Sequence, residues 1–511
     1  MSIKVFSFAA MMVASSALAQ GPDSAIDWLS DSVSLPPEVG PLTEAPTENG
    51  PNLLPEPVTV TPLSLQRIDA VGLLPGSVTG LSPDIWAGSD PMELARLIRA
   101  EQVDDLPAAQ SLLYLLLLAE LNPPTVPGED GTVLLARLDK LLQLGAIDQA
   151  QALLERAGPN QPQLFRRWFD VSLLTGHENR ACAAMIATPE IAPTFPARIF
   201  CLARGEDWNA AALSLETGKV LGFITEEEEN VLLQFLDPEL AEELPPLGAP
   251  SKVTPLVFRM YEAIGTPLAT GTLPIAFAWT DLSETSGWRA RIEAAERLSR
   301  SGALSPNQLL AIYTERKPAA SGGVWDRVKV VQDFDVASIA GSPELIAETL
   351  PAAWKAMQAA RLEVPFANLY VETLAKIALQ SEAQPLAFQI GLLSDRYESV
   401  ALSHTPLTKE EAFLHGVATD NLALLPPISP EAAVVKEAFV TPDQLLSTTQ
   451  KQLLANNRDG EAILMAIDLL STGVNGDSVA MGAGLALLRK LGLVDTARRA
   501  ALQWLILQRR G

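Results

Sequence analysis

Residues 138–156 read LDKLLQLGAIDQAQALLER, and this stretch predicts two helices joined by a turn at Gly145. Leucines at helical spacing precede Gly145, and glycine readily adopts the left-handed conformation that ends a helix. Asp148 follows as the predicted N-cap of the second helix. The same order of glycine, any residue, an aliphatic residue and a capping Asp, Thr or Ser returns at 222–225, 302–305 and 492–495. The sequence therefore predicts helices paired as hairpins across glycine turns.

The composition favours the same structure. The chain has 511 residues, of which 48% are hydrophobic and only 6% aromatic, a balance suited to aliphatic packing between helices. It is too long for one compact core, and glycines 145, 176 and 205 lie about 30 residues apart, as in degenerate repeats. We therefore expect an all-α protein, a superhelical array of antiparallel helical hairpins (an α-solenoid) with one or two lobes.

The first 19 residues have the pattern of a secretory signal peptide. Lys4 precedes a short apolar run, and Ala17-Leu18-Ala19 is a small-x-small cleavage site. Cleavage after Ala19 would place the protein in the periplasm or outside the cell. No later apolar stretch is long enough to predict a membrane span, and the most apolar one, 111–121, is interpreted as a buried core helix.

The rest of the chain divides by composition. Residues 20–64 are rich in proline and are predicted to be a disordered linker, although Ile26–Leu29 is a short apolar exception. Residues 65–90 keep many apolar side chains among turn residues, so we expect an extended segment docked on the body; the alternative is a self-peptide in a groove that a partner could use. Helical lobes are predicted at 91–244 and 245–511, divided by a proline-rich stretch.

Charge and cysteine content narrow the functional classes. The formal net charge of −24 argues against nucleic acid or anionic lipid as a partner. Cys182 and Cys201 are the two cysteines of the sequence, and in an oxidising compartment such a pair usually forms a disulfide. The bond would join two neighbouring helices; two buried free thiols are the alternative.

No motif indicates a catalytic, cofactor or metal site. His177, His404 and His415 are far apart and lie in no metalloprotease pattern, and no phosphate-binding loop is present. The acidic run TEEEEN at 225–230 is interpreted as a helix start in which Thr225 and Glu228 form a capping box. Four tryptophans of the second lobe could line a groove, but helical spacing favours core positions: Trp279, Trp288, Trp325 and Trp354.

The glycine turns carry a resemblance to known proteins. The helical body resembles tetratricopeptide-type α-solenoids and secreted helical-repeat proteins of Gram-negative bacteria. More distantly it resembles the superhelical part of soluble lytic transglycosylases. In that family a catalytic Glu is followed by Ser, and this pair occurs here as Glu398-Ser399. The family's downstream Gly-Leu-Met-Gln segment does not follow, so Glu398 is only a candidate acid.

We therefore expect a non-catalytic scaffold or adaptor that binds a protein or peptide partner in the cell envelope and needs no cofactor. The alternative is a peptidoglycan-associated protein, either a cell-wall lytic enzyme or its glycan-binding accessory. An enzyme would need titratable groups converging in a deep cleft, whereas a scaffold needs only a suitable surface.

Overall fold

A computed structural model describes residues 26–29, 67–237, 239, 244–379 and 383–507. The predicted signal peptide 1–19 and all of the predicted linker except 26–29 lie outside these residues. Across the described ranges the chain is helical and forms no strand, so the all-α prediction is confirmed.

The helices are short to medium in length. Those before residue 240 are Gly76–Thr79, Pro91–Ala100, Pro107–Leu118, Thr132–Gln143, Ile147–Ala157, Pro162–Thr175, Glu178–Ala187, Phe195–Arg204, Trp208–Val220 and Glu226–Leu236. Those after it are Pro255–Ala263, Trp288–Arg300, Pro306–Thr314, Val324–Ala340, Pro343–Ala360, Glu363–Lys376, Ala383–Leu392, Tyr397–Ser403, Lys409–Ala418, Pro430–Val440, Pro442–Leu445, Thr448–Ala455, Asp459–Val474, Ser478–Lys490 and Val494–Leu507. The 3₁₀ helices are Ile68–Ala70, Pro189–Ile191, Thr270–Thr272 and Ile275–Leu282.

The four predicted glycine turns are present and share one geometry. Gly145, Gly222, Gly302 and Gly492 have φ angles of +76°, +74°, +74° and +78°. In each turn the residue after the glycine donates its backbone N–H to a carbonyl five residues earlier, as Ala146 does to Leu141 at 2.8 Å. This bond closes the end of the first helix, as a Schellman motif does.

The predicted caps after these glycines are correct at two of the four positions. Thr225 and Ser305 cap their helices and form capping boxes with Glu228 and Gln308. At the other two turns the helix begins earlier than predicted, at Ile147 and Val494, so Asp148 and Asp495 lie inside the first turn. There they still favour the helix through its dipole, without capping it.

The predicted disulfide is present. Cys182 and Cys201 lie on the consecutive helices Glu178–Ala187 and Phe195–Arg204, with sulfur atoms 2.01 Å apart and Cα atoms 4.9 Å apart. Both cysteines are buried. The bond therefore joins neighbouring helices within the hydrophobic core.

Residues 67–90 lie along the body, where backbone hydrogen bonds to residues 118–122 and the side chain of Arg137 hold them. This fully buried side chain donates to the carbonyls of Val71, Leu117 and Ala119 at 2.7–2.8 Å. Burial lowers the pKa of Arg137 to about 10. Its hydrogen bonds satisfy carbonyl oxygens of two chain segments that form no regular sheet, which a buried guanidinium can do because it has five donors.

Consecutive helices contact each other along most of the chain, and the two ends of the helical array also meet. The helices Pro91–Ala100 and Pro107–Leu118 contact Asp459–Val474, and Pro107–Leu118 also contacts Val494–Leu507. The Ala108 N–H donates to the Gln503 side chain at 2.8 Å, and the Ser471 hydroxyl donates to the Gln102 carbonyl at 2.5 Å. Helices more than 350 residues apart in sequence thus share one core.

Gly460 is the closest point of this contact between the ends. Its N–H donates to the carbonyl of Ile85 at 2.9 Å, and a Cβ atom there would lie 2.2 Å from the ring of the buried Trp86. We expect Gly460→Ala to lower the free energy of unfolding by about 2 kcal/mol or more, because the methyl group overpacks the junction.

Urea unfolding followed by circular dichroism measures this effect. Gly271→Ala is the matched control, since nothing lies within 4 Å of a Cβ at that position. Equal unfolding midpoints for the two variants would contradict the contact between residues 85–86 and the helix Asp459–Val474.

Candidate functional site

The most unusual feature of the surface is a short segment from the predicted linker that lies on the body. Ile26–Leu29 forms a turn in which the Leu29 N–H donates to the Ile26 carbonyl at 3.2 Å. Leu29 is fully buried, and Ile26 and Trp28 are each only 8% exposed, whereas Asp27 faces solvent. Most of the surface of this segment is therefore covered by side chains that are distant in sequence.

Trp28 is the anchor of the segment. Its ring meets the edge of Phe277 at a centroid distance of 5.7 Å, and Phe277 in turn packs against Phe258 at 5.5 Å. Phe277 belongs to the 3₁₀ helix Ile275–Leu282, which holds it fully buried. An edge-to-face aromatic contact adds about 1 kcal/mol to the gain from burial alone.

A cavity of about 630 Å³ opens beside Trp28. Its wall combines apolar side chains with basic and amide groups: Arg99, Gln143, Lys252, Val253, Leu273, Pro274 and Ile275. This volume and this mixture are typical of pockets that bind a small molecule or a few residues of a peptide. We refer to the cavity and the surface under Ile26–Leu29 together as the Trp28 groove.

The floor of the Trp28 groove is a buried ion-pair group on the helix Thr132–Gln143. Asp139 is 1% exposed and accepts from Arg167 at 2.7 Å and from Arg99 at 3.2 Å. Since the two guanidinium groups fix one carboxylate from two other helices, the floor is rigid and its charges are compensated. The group therefore builds the groove without offering a reactive acid.

Lys140 binds the C-terminal end of the helix Pro91–Ala100, next to the buried carboxyl group of Glu101. The Lys140 ammonium donates to the carbonyls of Arg99 and Glu101 at 2.7 and 2.8 Å and to Gln143 Oε1 at 2.5 Å. Burial lowers the pKa of Lys140 to about 8 and raises the pKa of Glu101 to about 8. Nearby Asp468 raises the Glu101 pKa further, while Lys140 opposes the increase.

The Gly145 turn positions the groove's 3₁₀ helix. The Trp279 indole donates to the Gly145 carbonyl at 2.6 Å, and a Cβ atom at Gly145 would lie 3.2 Å from Ile275 and Leu298. Glycine is thus required there both by its positive φ and by the close approach. Residues 138–156, whose pattern predicts the fold, therefore also form part of the candidate site.

The candidate acid Glu398 does not lie in a cleft. It is exposed in the first turn of Tyr397–Ser403 and pairs with Arg498 at 3.0 Å. An acid of a lytic enzyme needs a preorganised cleft against the sugar, and this position offers an exposed ion pair instead. The geometry gives no support to a catalytic role for Glu398.

The histidines are not brought together into one site. His404 stacks on Phe388 at 3.9 Å and bonds Glu411 at 3.0 Å, whereas His177 precedes the helix Glu178–Ala187. In the described part of the chain, no three His, Cys, Asp or Glu side chains come close enough to hold a metal ion. Nor does any described helix combine the length and apolarity needed to cross a membrane.

The four tryptophans of the predicted second lobe belong to the core or pack against it, as their spacing indicates. Trp288 and Trp354 are buried, with Trp325 packed on Trp288 at a ring distance of 5.2 Å, and Trp279 is partly buried against the same core. Sequence reasoning did not identify Trp28 as a site residue, although it is the aromatic residue of the Trp28 groove. The feature that could have pointed to Trp28 is the short apolar stretch Ile26–Leu29 within a proline-rich region.

No family model, curated protein or solved structure matches this chain. Nothing therefore ties its helices to tetratricopeptide-type proteins or to lytic transglycosylases, and both resemblances stay predictions. A function is therefore inferred from the geometry of the Trp28 groove.

We expect the fold to be less stable at high pH because of Glu101. Its folded pKa of about 8 exceeds the ordinary 4.5, so the folded protein keeps a proton that the unfolded chain releases. Stability from this group is complete below pH 4.5 and declines as the pH rises to 8. Glu101→Gln cannot ionise and should gain roughly 4 kcal/mol relative to the parent protein at pH 8.5 but little at pH 4.5.

Thermal unfolding of both proteins across this pH range measures the difference. Glu348→Gln is the control, because Glu348 is an exposed carboxylate of the helix Pro343–Ala360. If the parent and Glu101→Gln proteins lose stability in parallel between pH 4.5 and 8.5, the buried carboxyl is not the cause.

Proposed function

We propose that this chain is an exported, non-catalytic scaffold or adaptor that binds a protein or peptide partner in the Trp28 groove. The proposal includes the predicted architecture of antiparallel hairpins stacked as an α-solenoid. Contacts between consecutive helices and the four glycine turns support that architecture. The single observation that carries the function is the burial of Ile26–Leu29 on a body whose described helices begin at Ile68.

The docked segment defines the chemistry of the partner. A buried tryptophan between aliphatic side chains is the usual energetic centre of a peptide interface. Lys252 and Arg99, the second of which already pairs with Asp139, line the cavity beside the exposed Asp27. An acidic residue next to the aromatic one therefore suits this basic side of the groove. The partner of this proposal is a segment that carries an acidic residue followed by an aromatic and an aliphatic residue, as Asp27–Leu29 does.

The same segment would compete with such a partner. A segment tethered to its own groove has an effective concentration in the millimolar range, so an outside peptide binds only when it displaces the tethered one. Removing the tethered segment should therefore raise the affinity for an outside peptide without any change in the groove.

Two observations that are independent of the groove support the proposed export of the protein. A buried disulfide in a chain with two cysteines suits an oxidising compartment. The signal-peptide pattern of residues 1–19 points the same way, and the proposed location is the periplasm or the extracellular space.

Peptide binding is tested with two forms of the protein, one beginning at residue 20 and one at residue 31. We expect a fluorescent peptide of residues 23–31, DSAIDWLSD, to bind the shorter form at least about tenfold more tightly, because its groove is vacant. Fluorescence anisotropy measures both affinities. The peptide with Trp28→Ala should bind neither form.

A groove variant separates specific binding from general stickiness. Val253→Asp places a charge in the cavity wall on a half-buried loop position and should abolish peptide binding to the shorter form. Undiminished binding to this variant, or no binding to the shorter form, would remove the groove from the proposal.

The adaptor role is tested by affinity capture from a cell-envelope extract with the shorter form as bait. A stoichiometric partner that the DSAIDWLSD peptide displaces, and that the Val253→Asp bait does not retain, would support it. Capture that is insensitive to both changes would show that the partner uses another surface, against the proposal.

A further inference from the structure

A second cavity, of about 640 Å³, lies between helices from the two halves of the chain. One wall is the turn that joins Trp288–Arg300 to Pro306–Thr314, and the opposite walls come from the helices Pro107–Leu118 and Glu363–Lys376. The Tyr114 hydroxyl donates to the Ser301 carbonyl at 3.0 Å and fixes the turn to the first of these helices. The cavity is therefore assembled from segments that are distant in sequence.

The charge of its wall is opposite to that of the protein. Arg297, Arg300 and Arg361 line the cavity, together with the single acidic residue Asp104. The whole chain carries a formal net charge of −24. A wall with three guanidinium groups and one carboxylate is thus a local positive site on an acidic protein, and such sites concentrate anions.

Backbone carbonyls hold two of these arginines. Arg297 donates to the carbonyls of Thr270 and Leu273 at 2.9 Å each, and Arg300 donates to the carbonyl of Ala360 at 3.3 Å. Bonds to carbonyls position a guanidinium group without cancelling its charge. Burial lowers the pKa of both side chains, so their charged forms would gain from an anion placed between them.

The neighbouring acids are engaged elsewhere or only partly offset this charge. Glu296 lies 3.9 Å from Arg300, but Arg327 binds both of its carboxylate oxygens at 2.7 Å and Tyr313 donates to it at 2.6 Å. Arg361 on the rim pairs with Asp105 at 2.6 Å. Asp281 acts on Arg297, as Glu296 does on Arg300, so each of these arginines is partly offset by one acidic neighbour. The three guanidinium groups still outnumber Asp104, the acidic residue of the cavity lining.

Ser299 gives an independent indication of a ligand. It is 4% exposed, lies in the cavity wall, and its hydroxyl has no hydrogen-bond partner among the described residues. A buried hydroxyl without a partner destabilises the folded chain unless a bound molecule supplies one. Rotation of the side chain about its Cα–Cβ bond toward the cavity would let an acceptor there satisfy this donor.

Two helix starts add to the same environment. Pro306–Thr314 and Pro107–Leu118 both begin at the cavity, each with proline in the first turn. The dipole of a helix is positive at its N-terminus and favours an anion there. Together with the arginines, these helix starts make the site predominantly positive, with Asp104 as the acidic residue of its lining.

We propose that this cavity binds a small organic oxyanion, a molecule of the size of a sugar phosphate or a tricarboxylate. Arginine pairs with carboxylate and phosphate in the same two-bond geometry, and the volume admits a ligand of several carbon atoms. The ligand would join the turn 299–302 to the starts of the helices Pro107–Leu118 and Glu363–Lys376. Binding would thereby stabilise the contact between the two halves of the chain.

Thermal shift and isothermal titration calorimetry with the form that begins at residue 20 test the site. The probes are citrate, glucose 6-phosphate and inorganic phosphate; glucose is the neutral control, and sodium chloride matches the ionic strength. We expect citrate or glucose 6-phosphate to raise the unfolding temperature with saturable, one-to-one binding. A preference between them distinguishes a carboxylate from a phosphate ligand, and binding of inorganic phosphate alone narrows the ligand to the anion itself.

Matched variants connect binding to the cavity. Arg300→Gln should weaken binding by at least about tenfold, because it removes a charged donor. Ser299→Ala should weaken binding several-fold while leaving the free protein as stable as before or more so, since it deletes a hydroxyl without a partner. Arg96→Gln removes one charge from an exposed surface pair outside the cavity wall and should change nothing.

If Arg300→Gln fails to fold, the rim variant Arg361→Gln replaces it, with a smaller expected loss of affinity. The proposal is overturned if no probe shifts the unfolding temperature beyond the chloride control. It is also overturned if Ser299→Ala and the arginine variant bind as tightly as Arg96→Gln. Neither result bears on peptide binding in the Trp28 groove, which is measured separately.

Discussion

Burial of the helix Pro107–Leu118 is the constraint on which the rest of the structure depends. The helix is apolar on nearly every side, and Leu112, Leu113, Leu116 and Leu117 are at most 4% exposed. Such a helix must be enclosed all round. The cover comes from the helix Thr132–Gln143, the Ser301 turn and the helices of residues 459–507. One leucine-rich helix therefore brings distant parts of the chain into contact and creates the spaces between them.

Local chemistry made much of the fold predictable. The glycine turns and the Thr225 capping box depend on residues within a few positions, and the structure shows them where they were predicted. Asp148 and Asp495 were placed wrongly because a cap and a first-turn acid differ by only one or two residues. The contact between the helical ends was not predictable, since periodicity shows which face of a helix is apolar but not which remote helix covers it.

The two candidate sites were harder to predict for the same reason. Trp28 lies in a proline-rich region where burial was not expected, and its partner Phe277 is some 250 residues away. The arginines of the second cavity are scattered over residues 297–361 of an acidic chain, so composition conceals them. Ile275 lines both cavities, so the Trp28 groove and the proposed oxyanion site are neighbours.

The meeting of the two ends has a consequence for how the protein is made. Residues 107–118 leave the ribosome long before residues 459–507, which supply part of their cover. For most of synthesis this helix is therefore an incompletely shielded apolar segment, of the kind that molecular chaperones recognise. A chain cut short before residue 459 would lack that part of the cover and would keep one side of the helix Pro107–Leu118 exposed.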